Sequence, residues 1–152
     1  MTLRPKLLVT QSSCVATLDY LKLESPPVSS AVALQASRNG YAKGYGFWFD
    51  SELADGILMS TAPGHARAEY AAGVYPNVAA AWLEPVRIGA GDEIKASLRF
   101  TAVNDDYVWQ WNTRIETADS RQTKAEFQQS NFNGRFVSAA DLHKRALTHR
   151  PR

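Results

Sequence analysis

Between Glu93 and Glu116 the chain alternates apolar and polar residues through two successive runs, and no other feature narrows its possible folds as much. In "EIKASLRFTAV", Ile94, Ala96, Leu98, Phe100 and Ala102 share one face, while Lys95, Ser97, Arg99 and Thr101 share the other. A period of two sends these sets to opposite sides of an extended strand, one toward a core and one toward water. In the next run Tyr107, Trp109, Trp111, Thr113 and Ile115 alternate with Val108, Gln110, Asn112, Arg114 and Glu116. Asn104-Asp105-Asp106 supplies turn residues between the two, so the pair reads as an antiparallel hairpin.

Further strand signals lie at Lys6 to Thr10, Cys14 to Leu23, Ala31 to Ser37, Tyr41 to Leu53, Gly56 to Ser60, Ala81 to Ile88 and Lys124 to Phe132. "RNG" and "ADG" serve as turns between some of them. Many short strands with few helical runs predict a mainly β fold, an antiparallel β-barrel or barrel-like sandwich. Two segments depart from the pattern. "GHARAEYAAGVYPN" reads as a long connection across one end of the sheet. "SAADLHKRAL" reads as a short C-terminal helix, with Ser138 three residues before Asp141 as a capping box. The expected organisation is one β domain over residues 1–137, followed by a helix and basic tail over 138–152.

At 152 residues the chain has the size of one ordinary domain. With 45% hydrophobic and 21% charged residues it is neither disordered nor membrane-spanning. A net charge of +2 with interspersed signs disfavours nucleic acid and anionic membranes as partners. A single cysteine excludes an internal disulfide, and Cys14, within an apolar strand-like run, reads as a buried inert thiol. The N-terminus lacks the apolar stretch of a signal peptide, so a cytoplasmic location is expected.

Several residue sets suggest chemistry, and each has a structural alternative. "IGAGDEI" looks like a cofactor loop, but a strand follows its glycines where a phosphate-binding loop needs a helix, so a hairpin turn is expected. Gly44 and Gly46 fall within a strand pattern, where glycine marks a bulge or a close backbone approach. Asp50, Asp55, Ser60 and His65 invite a hydrolase reading, yet no nucleophile elbow surrounds Ser60. Cys14, His65, His143 and His149 have no zinc-ligand spacing, and no metal is expected. Tyr107, Trp109 and Trp111 form an aromatic row that either stacks sugars or single-stranded nucleic acid, or fills the core.

In their order and spacing, "KLLVT" (6–10), "GFWFDSEL" (46–53), "LMSTAPG" (58–64), "EPVRIGAGDEIKASL" (84–98) and "VNDDYVWQWNTRIE" resemble the C-terminal β-barrel of protein arginine methyltransferases. "FQQSNFNGRFVSAADLHKRA" is similar to the tail of their bacterial relatives. In that family a Rossmann-like domain binds S-adenosylmethionine, and substrate lies in the cleft between it and the barrel. The resemblance covers only the barrel half, and the cofactor loop, the ribose-binding acid and the guanidinium-gripping glutamates have no counterpart here. It therefore implies a substrate-binding or accessory domain with no catalytic residue of its own and no activity alone. The implied partners are a Rossmann-type methyltransferase domain carrying S-adenosylmethionine and a protein or peptide substrate.

The family's Thr-His-Trp loop follows a Ser-Thr-Ser-Pro turn, matched here by Ser60 to Pro63, and its three positions fall on Ala68, Glu69 and Tyr70. Tyr70 keeps an aromatic, the histidine is lost, and His65 is the imidazole in the same connection. The resemblance thus implies a substrate-facing loop carrying His65, Glu69 and Tyr70. The reading that stands beside it is a stand-alone binding or self-associating module using the Tyr107, Trp109 and Trp111 face.

Overall fold

Alternation of the kind seen at 93–116 requires a partner layer to cover the apolar face, and two ribbons and a sheet supply the architecture. The computed structural model describes residues 3–19, 28–64, 78–103 and 106–132. The expected C-terminal helix over 138–152, the loop residues His65, Glu69 and Tyr70, and the histidines His143 and His149 lie outside the described residues. Eight strands order the described part: β1 (Val28–Gln35), β2 (Gly40–Phe47), β3 (Asp50–Ala54), β4 (Ile57–Ser60), β5 (Val78–Ile88), β6 (Glu93–Val103), β7 (Asp106–Glu116) and β8 (Thr123–Ser130). They form a four-stranded sheet, β1-β6-β7-β8, and two ribbons, β2-β5 and β3-β4, antiparallel throughout.

The register of the large sheet explains its buried face. Leu34, Ile94, Ile115 and Ala125 stand in one row across the four strands, and Val32, Ala96, Thr113 and Phe127 in the next. Ala42, Trp82, Val86 and Ile88 of the β2-β5 ribbon pack over these rows in one cluster with Ile94, Ile115 and Phe127. Ile115 is fully enclosed, which contributes about 2–3 kcal/mol. Burial demands partners for polar atoms, and in this layer the Trp82 indole N–H has none among the described residues, whereas the Tyr45–Thr113 pair is satisfied. The Tyr45 hydroxyl donates to Thr113 Oγ1 at 2.8 Å, and burial pushes the Tyr45 pKa up to about 12.

The sandwich is joined differently along its two sides. Near β8, the Gln129 side chain accepts from Trp111 Nε1 at 3.2 Å and donates to the Ala81 carbonyl of β5 at 2.9 Å, linking the layers. Between β1 and β2 the seam is filled by the N-terminal segment. Thr10 bridges Ala36, and Ser37 donates its N–H to the Val9 carbonyl at 2.8 Å. The Arg38 guanidinium grips the Lys6 and Leu8 carbonyls, and Leu3 lies over Gly46. No closed barrel exists among the described residues, so the expected fold takes its barrel-like sandwich form.

The hairpin of β6 and β7 forms as expected, but Asp106 pairs with Val103 and begins β7 instead of belonging to the turn, and "ADG" turns β3 into β4, with Gly56 at φ +72°. Other expectations are corrected. Tyr41 to Leu53 is two strands, because the chain crosses between ribbons at Trp48-Phe49. The turn at "IGAGDEI" is a corner rather than a hairpin, since β5 pairs with β2 and β6 with β1, while "RNG" lies in the connection from β1 to β2 as expected of a turn. Lys6 to Thr10 contains a 3-10 turn at Pro5–Leu7 in place of a strand, with Pro5 fitting its first position. Residues 11–19 carry no strand, and Cys14 is exposed, not buried. On β6 the buried side switches after Phe100, leaving Ala102 exposed and Val103 buried against Val108.

Gly44 shows why the ribbon needs glycine. Four β5 residues, Trp82 to Pro85, stand opposite the single residue Lys43, because Ala42 pairs with Val86 and Gly44 with Ala81. Pro85 has no N–H to give the ladder, and the bulge accommodates it. On the far side of the bulge the backbones approach so closely that a Cβ at Gly44, where φ is +150°, would overlap the Ala80 carbonyl.

Candidate functional site

One end of the sandwich combines half-buried aromatic rings with the root of the connection that begins at Thr61. Cross-strand pairing places Phe100 of β6 beside Trp109 of β7, and their rings meet edge to face at 4.7 Å. Phe47, the last residue of β2, meets Trp109 edge to face at 5.9 Å. From Phe47 the contacts run inward through Tyr45 and Trp82 to Phe127, at 6.1, 5.4 and 5.8 Å. Six rings thus form a continuous row from core to rim. Trp111 belongs to the interior, where its indole N–H is bonded to Gln129, so it is not part of an exposed aromatic face. Trp109 is half-buried, and the Tyr107 side chain lies outside the described residues.

The connection is anchored by a hydrogen-bonded latch. Ser60 Oγ donates to Asp50 Oδ1 at 2.5 Å and accepts the Ala62 N–H at 3.1 Å. Thr61 Oγ1 accepts the Phe49 N–H at 3.1 Å, and the Thr61 N–H donates to the Phe49 carbonyl at 3.0 Å. Pairing across the β3-β4 hairpin brings Asp50 opposite Ser60, which is why residues ten apart meet. The Ser60 hydroxyl is buried and committed to these bonds, which is the arrangement of a turn anchor and not of a nucleophile. Its sequence signal was the symmetry of Asp50 and Ser60 about "ADGI"; the role needed the hairpin register.

The glycine turn at 89–91 has its own carboxylate. Gly89 N–H donates to Asp92 Oδ2 at 2.7 Å, Ala90 N–H to Asn39 Oδ1 at 2.8 Å, and Gly91 N–H to the Ala36 carbonyl at 2.8 Å. All three amides that a phosphate or carboxylate of a cofactor would need are taken by acceptors of the chain itself, so the turn does not fit such a group. Asp92 is buried and also accepts from the Lys124 ammonium and the Ala118 N–H, tying the β5-β6 and β7-β8 turns together. Burial pushes its carboxyl up, but Lys124 and the two N–H donors outweigh that and hold it below the ordinary carboxylate range. Sequence reading missed this role, because only the fold brings Ala118 and Lys124 to Asp92.

No group of three or more histidine, cysteine or acidic side chains able to hold a metal occurs among the described residues, and no described helix is long and apolar enough to cross a membrane. His65, Glu69 and Tyr70 follow the latch directly in sequence, outside the described residues. The end of the sandwich can therefore anchor a loop and offer half-buried aromatic surface.

No family model and no curated protein sequence matches the chain. Among solved structures it is similar to protein arginine methyltransferase 10 of Arabidopsis thaliana, crystallised in a uniquely open conformation, with a TM-score of 0.67 and 15% identity over 86% of this chain. The match spans 40% of that protein's length. The likeness is one of fold alone, shared with a part of that methyltransferase.

Proposed function

We propose that the chain is the substrate-side accessory domain of an S-adenosylmethionine-dependent methyltransferase related to the protein arginine methyltransferases. It works beside a Rossmann-type catalytic domain that holds the methyl donor. The observation that carries this reading is the fold likeness, which takes in 86% of this chain but 40% of the methyltransferase. The amides of the 89–91 turn are already bonded, which supports assigning donor binding to the other domain. On this reading the latch at Asp50, Ser60 and Thr61 sets the exit of the loop carrying His65, Glu69 and Tyr70 toward a protein or peptide substrate in the cytoplasm. Methyl transfer needs the acceptor held in line with the donor sulfonium, and a fixed loop root contributes to that alignment.

Calorimetric titration of the isolated chain with S-adenosylmethionine tests the division of labour. No saturable heat is expected up to about 1 mM donor. Micromolar binding to this chain alone would overturn the assignment. The reading also expects a Rossmann-type domain encoded in the same or an adjoining gene.

A further inference from the structure

We propose that the free edge of β1 is a strand-addition site that takes an extended peptide segment. β1 is a terminal strand of the four-stranded sheet. The Ala36 N–H points inward to the Asp92 carbonyl, whereas the Ser37 N–H points outward to Val9. In an antiparallel ladder that direction alternates, so Val32 and Leu34 bond toward β6 while Ala31, Ala33 and Gln35 aim their N–H and C=O groups away from the sheet. The Thr10–Ala36 bridge reaches the Gln35 carbonyl at one end of this edge, and among the described residues no partner takes the outward groups of Ala31 and Ala33.

Three observations favour a peptide strand at this edge. First, β1 is unguarded. "VSSAVALQ" contains no charge, proline or glycine, whereas the opposite edge strand β8 carries Lys124 and Glu126 and is linked to β5 through Gln129. Exposed edges normally carry such protection against pairing. Second, the edge is bordered by a groove of about 340 Å³, walled on its far side by Gln11, Ser12 and Ser13 and floored by Ala33 to Ser37. A slot with a wall suits one extended strand better than the flat edge of a second sheet. Third, the chain already docks a segment there. Val9 and Thr10 lie antiparallel to Ala36 and Ser37, and the chain then leaves the edge at Gln11. An added strand would continue that pairing, with main-chain bonds supplying affinity and alternate side chains covering the half-buried Val32 and Leu34. The chemistry recognised is an uncharged or mixed segment with apolar residues at every second position.

The test uses the full 152-residue chain labelled with ¹⁵N and, as probe, a synthetic peptide copying Glu93 to Thr101, which is soluble and alternates apolar with polar residues. At about 1 mM peptide the amides of Ala31, Ala33 and Gln35 are expected to exchange with solvent roughly tenfold more slowly, while those of Val32 and Leu34 do not change. Ala33→Pro removes one outward N–H that β6 does not use and should abolish the protection; Ala33→Lys, which keeps the N–H but adds an edge charge, serves if the proline variant does not fold. Slow exchange of the three amides in the free chain at every concentration would mean that the chain covers its own edge. Slowing that follows protein concentration without peptide would mean a second copy is the occupant. Either result, or unchanged exchange with peptide, overturns the proposal.

Discussion

Asp92 shows how much one side chain can depend on distant segments. Its carboxylate is buried, and it is tolerated there because the Lys124 ammonium and the N–H groups of Gly89 and Ala118 surround it. The folded carboxyl holds its proton less readily than the unfolded one, so its stabilisation is complete above the ordinary aspartate pKa of about 3.9 and is lost as pH falls through the lower folded value. Asp92→Asn is expected to lower stability by about 2 kcal/mol at pH 7, less than a fully enclosed pair because Lys124 is partly exposed. Urea unfolding across a pH series should show the two proteins converging as pH drops below about 4. A difference that stays constant with pH would assign the effect to packing. Glu116, buried between the exposed Lys95 and Arg114, is likewise held below its ordinary range, chiefly by its bond to Lys95.

At the scale of the element, the β3-β4 hairpin is weakly supported, since it forms a sheet by itself and exposes Leu53, Ile57 and Leu58. Two strands alone are marginal in water, so the bonds at the hairpin's root carry weight beyond their number. Ser60→Ala removes the acceptor for the Ala62 N–H and the donor to Asp50. It is expected to cost about 1 kcal/mol locally and to speed amide exchange in Ser51, Met59 and Ala62 by roughly fivefold, with Ile94 and Ile115 unchanged. Uniform acceleration across the sheet would contradict a local latch. This hairpin was legible from "ADG" between apolar runs, but the pairing of Asp50 with Ser60 was not, because one residue of register decides which side chains meet.

For the whole molecule, the union of the layers near β8 rests on Gln129, which links Trp111 in its own sheet to Ala81 in the ribbon. Gln129→Leu leaves the buried Trp111 N–H without its acceptor and is expected to cost about 1–3 kcal/mol, read as a lower urea midpoint by tryptophan emission. A change below about 0.5 kcal/mol would show that apolar packing alone joins the layers. The sequence by itself determined the strand class, the β6-β7 hairpin, the bulge-forming glycine at 44 and the apolar rows facing the core, because alternation and turn chemistry act between near neighbours. Only the tertiary structure decided that 41–53 divides between two ribbons, that 89–92 is a corner locked by Asp92, that Cys14 is exposed, that Trp111 is interior, and that β1 is a terminal strand of its sheet. Each of those depends on which strand lies beside which, and that choice is made by contacts between residues far apart in the chain, whose pairing leaves no periodic signature in it.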